Sequence, residues 1–150
     1  MIYIFTDGSY DKNTGMGCGI YIQDSPLDYS TILYKPLDTQ SSAPRAEMHG
    51  MFRALVASSQ INDQCTIYCD NEYVTKTFNV YWNNWVKQGM IRKKGREIAH
   101  LDLISPMMEY YEKNTHRIFI IHVPREYNKI ADELSKRARL ELQLGEYKEE

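Results

Sequence analysis

Four carboxylates stand where hydrophobic segments end or turn inward: Asp7, Glu47, Asp70 and Asp132. Asp7 follows the run IYIFT and precedes Gly8, and Asp70 follows CTIYC. Glu47 lies one turn before Met51, on the border of an apolar helical stripe, and Asp132 sits beside Ala131 near the start of the last amphipathic segment. Taken singly, each has an ordinary reading. Asp7 suits a turn, Glu47 a helix N-terminus and Asp70 a helix cap. Asp132 has Lys129 and Lys136 at helical pairing distance. Taken together, four acids converging on one sheet edge repel unless a cation sits among them. Carboxylates are ligands of hard divalent ions such as Mg2+, with Mn2+ accepted by similar oxygen donors. Two such ions about 4 Å apart activate a water and stabilise a leaving alkoxide in phosphoryl transfer.

The elements that must place these acids follow from periodicity. Residues 2–6 read as a strand, 17–23 (GCGIYIQ) as a second and 28–35 (DYSTILYK) as a third, with short connections that suit an antiparallel meander. From Pro44 to Ser59, Met48, Met51, Phe52, Leu55 and Val56 recur at helical spacing; Pro44 suits a first helical position, and Ser41 or Ser42 can cap it. Residues 65–70 read as a strand parallel to the first, because a strand–helix–strand order favours that pairing. Helices are expected over 71–88 and 97–113, a strand covered on both faces over 117–123, and a last helix over 127–142. The sum is an α/β fold: a five-stranded mixed sheet, three antiparallel strands then two parallel, with helices on both faces.

Composition agrees with a single domain over 1–150, ending in an acidic tail over about 143–150. The chain is 43% hydrophobic and 25% charged, ordinary for a globular protein, and no run approaches the roughly 20 apolar residues of a membrane span. The N-terminus enters a strand with no basic n-region or long apolar h-region, so no signal peptide is expected. Cys18, Cys65 and Cys69 form no disulfide pattern, which favours a reducing compartment, cytoplasmic or, in a eukaryote, nuclear. No Cys or His pair completes a zinc site with Cys65 and Cys69, so these read as small buried hydrophobes. A net charge of −2 argues against wholesale nucleic-acid binding, yet Lys87, Arg92, Lys93, Lys94 and Arg96 crowd one short stretch.

The chain resembles type 1 ribonuclease H. IFTDGS is similar to that family's first strand, RAEMHGMFRAL to its helix around the catalytic Glu, and IYCDNEYV to its TDSxYV motif. YWNNWVKQGM resembles the aromatic helix entering the basic protrusion, and NKIADELSKRA the closing helix, all in family order over residues 2–139. The resemblance implies the ribonuclease H-like fold and hydrolysis of the RNA strand of RNA–DNA hybrids to 3′-hydroxyl and 5′-phosphate products. It implies two Mg2+ ions, with Asp7 bridging them and Glu47, Asp70 and Asp132 completing the shell. It further implies substrate contacts from Gly8, Ser9, Ser42, Arg45, Asn71, Tyr81, Trp85, Lys87, Arg92, Lys93, Lys94 and Asn128. The expected protein is a monomer that binds a hybrid and no membrane. For Tyr81 and Trp85, core packing is an equal reading.

The pattern departs from the family in three places. Ala43 and Pro44 stand where the family usually carries amide side chains that contact the minor groove, and Pro44 lacks even a backbone N–H. The loop HVPREYNKIAD is short and lacks the family's Gly-His pair; His122 reads as a strand residue, leaving Arg125 or Glu126 to assist phosphate contact or product exit. No hybrid-binding domain is expected ahead of residue 2. Two alternatives therefore stand beside the main reading: the same metals acting on duplex RNA or structured DNA, and a non-catalytic nucleic-acid-binding module.

Overall fold

Alternation of inward and outward side chains over the first residues builds a ladder longer than its apolar part. The computed structural model describes residues 1–90 and 98–150. Strand β1 (Ile2–Asp11) pairs antiparallel with β2 (Gly15–Gln23), which pairs with β3 (Thr31–Tyr34). Helix α1 (Ala43–Ser59) crosses to β4 (Cys65–Cys69), which lies parallel to β1. Helix α2 (Glu72–Lys76), a π-helical turn (Thr77–Tyr81) and α3 (Trp82–Lys87) follow, then α4 (Leu101–Glu112). Strand β5 (Ile118–His122) pairs parallel with β4; a 3-10 turn (Arg125–Tyr127), α5 (Lys129–Glu141) and β6 (Tyr147–Glu149) complete the chain. No helix among the described residues is long and apolar enough to cross a membrane.

The sheet has six strands, in the order β5-β4-β1-β2-β3-β6, and not the expected five. The additional strand is β6, formed inside the acidic tail and antiparallel to β3. Its three residues are exposed, so no hydrophobic pattern marks it. What holds it is distant: the Arg53 guanidinium lies 4.0 Å from the Tyr34 ring centre and 5.1 Å from that of Tyr147. The third strand is also shorter than 28–35, because Ser25 and Tyr29 form a turn in which Ser25 Oγ donates to the Tyr29 carbonyl. The expected continuous helix over 71–88 is instead interrupted by the π turn. On either side of and within that turn, Val74, Phe78 and Trp85 all lie in the core.

Two glycine approaches set the layers. A Cβ on Gly8 would stand 2.2 Å from the Ala46 backbone, so α1 lies directly on one face of β1. Cβ atoms on Gly17 and Gly19 would meet the backbone of α5 at 2.2 to 2.5 Å, so α5 lies as closely on the other face of β2. Helices therefore cover both faces, as expected. The main core, on the α1 side, gathers Ile4, Ile20, Ile67, Met48, Met51 and Ile104, among others. On the α5 side an aromatic row crosses the sheet: Tyr3 stacks on Tyr68, Tyr68 on Phe5, and Phe5 on Tyr21. The outer edge of β5 is partly closed by Asn79 of the π turn, whose Nδ2 donates to the Ile120 carbonyl at 3.0 Å.

Candidate active site

Asp7 lies in the middle of β1, not at its end. The parallel pairing of β1 with β4 stops at Thr6 and Cys69, while the antiparallel pairing with β2 continues to Asp11 and Gly15. The strand edge that exposes the carboxylate thus exists on the β4 side alone. Asp7 pairs with Gly19, and paired residues share a face, so its side chain stands on the α5 side. Asp70 follows the last β4 residue on the same edge. Glu47 comes from the opposite layer, carried in by the close approach of α1 at Gly8.

The carboxylates of Asp7, Glu47 and Asp70 each offer an oxygen within 4.8 Å of the others. Asp7 is 4% exposed, and Glu47 Oε2 is buried with no hydrogen-bond partner among the described residues. Burial, and then the charge of Asp70, pushes Asp7 from 3.8 up to about 8. Burial, and then Asp7 and Asp70, pushes Glu47 from 4.5 up to about 10, against a partial offset from the Gly8 backbone N–H. Protonation thus relieves the cluster when no cation is bound. A buried, unpartnered carboxylate oxygen beside two further carboxylates is the donor set a hard divalent ion takes, so these residues fit one.

Asp132 stands at the margin of this group. It is close enough to Asp7 to share a hydrogen bond, and its Oδ2 pairs with Lys136 at 3.1 Å. Asn128 fixes its helix: the Nδ2 donates to the Thr6 carbonyl at 2.9 Å and ties the start of α5 to β1. Asn128, expected from the sequence as a substrate contact, is 1% exposed, and this bond gives it a structural task.

Other expected substrate contacts also have structural tasks. Arg45 is buried: its Nε donates to Asp38 at 2.6 Å and its Nη2 to Asp102 at 2.5 Å. Burial alone would raise Asp38, but His49, the Gln40 N–H and Arg45 outweigh it and hold it at about 2. Asp38, His49, His100 and Asp102, unnoticed in the sequence, thus pin the start of α1. Ser42, not Ser41, caps α1 by accepting from the Arg45 N–H, and Pro44 takes the second helical position. Asn71 caps α2 through the Val74 N–H. Trp85 is 8% exposed and belongs to the core, with Tyr81 stacked on it at 6.1 Å. Lys87 is exposed at the end of α3, and Ser9 lies under α5 against Arg139. Arg92, Lys93, Lys94 and Arg96 lie outside the described residues. Arg125 and Glu126 line an open cavity of about 490 Å³ with Lys129, Asp132 and Glu133, beside the acidic cluster. The three cysteines are free and buried, and burial pushes the Cys69 thiol up, which matches the reading of small buried hydrophobes.

Comparison with known proteins gives the family and agrees with the fold. The family model described as RNase H matches residues 1–139. A ribonuclease H of Hahella chejuensis is 30% identical over 138 residues, covering 89% of this chain and 90% of that protein. One from Lachnoclostridium phytofermentans is 28% identical over 131 residues, covering 78% of this chain and 75% of that protein. The Gag-Pol polyprotein of feline leukemia virus is 27% identical over 149 residues, which are 8% of its length. Among solved structures, LC11-RNase H1 in complex with an RNA/DNA hybrid matches 91% of this chain and 95% of that chain, with TM-score 0.63 and 21% identity. The foamy viral protease-reverse transcriptase in complex with an RNA/DNA hybrid matches 94% of this chain and 20% of that chain, with TM-score 0.76 and 20% identity. At these identities the structural matches speak for the fold.

Proposed function

The chain is an enzyme of the RNase H family, and from that premise we propose that it is a metal-dependent endonuclease that cuts the RNA strand of RNA–DNA hybrids, leaving 3′-hydroxyl and 5′-phosphate ends. The observation that carries this reading is the convergence of Asp7, Glu47 and Asp70 within 4.8 Å around a buried, unpartnered Glu47 oxygen. Asp7, Glu47, Asp70 and Asp132 hold two divalent ions, Mg2+ with Mn2+ as a substitute. When bound, the ions supply an activated water and stabilise charge on the leaving oxygen. Asp7 is held rigidly by the ladders on both sides of Thr6. Glu47 reaches the same point because Gly8 admits α1. The Arg45 clamp fixes the rotation of that helix, and Asn128 fixes the height of α5 and so of Asp132. Lys136 keeps Asp132 turned to the edge of the cluster.

The two solved structures of similar fold that are in complex with RNA/DNA hybrids support the choice of substrate. Ala43 and Pro44, which offer no side-chain donor at the start of α1, favour as second reading the same chemistry on duplex RNA or structured DNA. We further propose that the protein acts as a monomer in a reducing compartment, the cytosol or a nucleus, a reading supported by its three free, buried cysteines.

The test is cleavage of an end-labelled hybrid in Mg2+, beside single-stranded RNA, duplex RNA and duplex DNA, with Asp70→Asn as control. Cutting confined to the RNA strand of the hybrid and lost in the variant is the expected result. Cutting of duplex RNA or DNA in its place moves the protein to the second reading, and binding without cutting in either Mg2+ or Mn2+ makes it a binding module.

A further inference from the structure

Among the described arginines that are half-buried or deeper, Arg53, Arg117 and Arg139 have no carboxylate within 4.0 Å. Arg45 has Asp38 and Asp102, and Arg137 has Glu141 and Glu150. Arg117 donates to the carbonyls of Ser58, Ile61 and Asp63, and Arg53 lies on two tyrosine rings. Arg139 is half-buried on α5 and has no carboxylate within 4.0 Å among the described residues. Its Nε donates to Ser9 Oγ at 3.3 Å and its Nη1 to Thr14 Oγ1 at 2.7 Å.

Two neutral hydroxyls hold this guanidinium and do not neutralise it. Its Nη2 donates to no acceptor among the described residues. Ser9 and Thr14 accept from Arg139 through their oxygens, which leaves both hydroxyl protons free to donate. Asp11 of the same hairpin accepts with its carboxylate from the Asn13 N–H. Arg139 therefore presents a full positive charge and three donors, a set that fits an anion. The place is defined as well. Ser9 is two residues beyond Asp7 on the same face of β1, and Arg139 is two helical turns beyond Asp132 along α5, about 10 Å. One or two linkages of a nucleic-acid backbone span that distance. The hairpin is pressed on α5 here, since a Cβ on Gly17 would stand 2.8 Å from Arg139 Cβ, so the guanidinium is fixed in position.

We propose that Arg139 binds a backbone phosphate of the strand being cut, one or two linkages from the scissile phosphate on the side of the β1–β2 hairpin, with Ser9 and Thr14 aiming it. The inference rests on the nuclease reading above and deepens it: Arg139 sets the register of the cut strand across the acidic cluster.

The experiment measures steady-state cleavage of an end-labelled hybrid at several salt concentrations. It compares the unmodified protein, Arg139→Ala, Arg139→Lys and Thr14→Val. A parallel set of RNA strands carries a single uncharged methylphosphonate at a 2′-deoxy position near the cut, beside a phosphodiester control. Arg139→Ala is expected to raise KM about tenfold, with a smaller fall in kcat, and to lower the salt slope by roughly one phosphate contact. Arg139→Lys keeps the slope, and Thr14→Val gives an intermediate KM. The neutral linkage raises KM for the unmodified protein at one position and has no further effect on Arg139→Ala. Equal KM and salt slope with and without Arg139, or an equal penalty from the neutral linkage in both proteins, overturns the site while leaving the nuclease reading intact. An unmodified protein that cuts no hybrid overturns both. Should Arg139→Ala not fold, the linkage scan on the unmodified protein decides: no sensitive position beside the cut overturns the proposal.

Discussion

A Cβ added to Gly8 would lie 2.2 Å from the carbonyl carbon of Ala46, the residue before Glu47. No rotamer relieves that clash, because both partners are backbone. Gly8→Ala must push α1 away from β1 and carry Glu47 from Asp7. The expected result is a loss of hybrid cleavage of at least 100-fold and a destabilisation of about 2–4 kcal/mol. Single-turnover kinetics and urea melts of the variant measure both.

The acidic cluster makes the metal-free protein sensitive to alkali. Asp7 and Glu47, raised to about 8 and about 10, hold protons in the folded state that they release near pH 4 when unfolded. The folded state therefore binds more protons between these values, and its stability falls as pH rises from about 4 towards 10. In chelator, the melting temperature is expected to drop between pH 6 and pH 9. Added Mg2+ should restore it, more at pH 9 than at pH 6. Glu47→Asn and Asp7→Asn should each flatten the profile. A metal-free melting temperature that rises over this range contradicts the account.

Arg45 has two carboxylate partners of unequal worth. The Asp38 side chain is 9% exposed and that of Asp102 is 60% exposed. Asp38→Ala leaves a buried guanidinium half-paired and also strips His49 of its partner, at an expected cost of about 2–3 kcal/mol. Asp102→Ala is expected to cost about 1 kcal/mol or less. Asp38 lies at about 2, below its unfolded value, so its contribution is present above about pH 4 and is lost as pH falls through 2. Urea titrations of both variants at pH 7 give the ranking.

Arg125 and Glu126 share a cavity with Asp132. Arg125→Ala is expected to slow multiple-turnover cleavage roughly 3- to 10-fold while changing a single turnover less, as fits a group that assists product exit. Equal rates in both regimes for Arg125→Ala and Glu126→Ala would remove the loop from the mechanism.

The acidic triad was legible in the sequence because each of its acids sits where an element's hydrophobic pattern ends or borders on solvent. Asp7 and Asp70 come directly after the parallel-paired stretches of β1 and β4, and Glu47 stands one turn before Met51 at the border of the helical stripe. The substrate contacts were less legible, because a polar residue in a family motif reads alike whether it faces a ligand or holds the fold. Arg45 needed Asp38 and Asp102, 7 and 57 residues away, to show that it is buried. Asn128 needed the Thr6 carbonyl, 122 residues away. For Trp85 the sequence left core packing open as an equal reading, while the π turn before its helix is marked by no period. Strand β6 stayed hidden because its pairing depends on Arg53 and Tyr34 and not on apolar alternation. Arg139 carried one signal that was readable, its position seven residues after Asp132 on the same helix.

Both outer rows of the sheet end on contacts that the chain makes with itself. On one side β6 occupies the hydrogen-bonding row of β3, and on the other Asn79 covers the Ile120 carbonyl of a strand that exposes Phe119 and Ile121. An open row beside apolar side chains is a template for strand addition by another molecule. The π turn and the acidic tail therefore take up backbone groups that such an addition would use, a task separate from the chemistry.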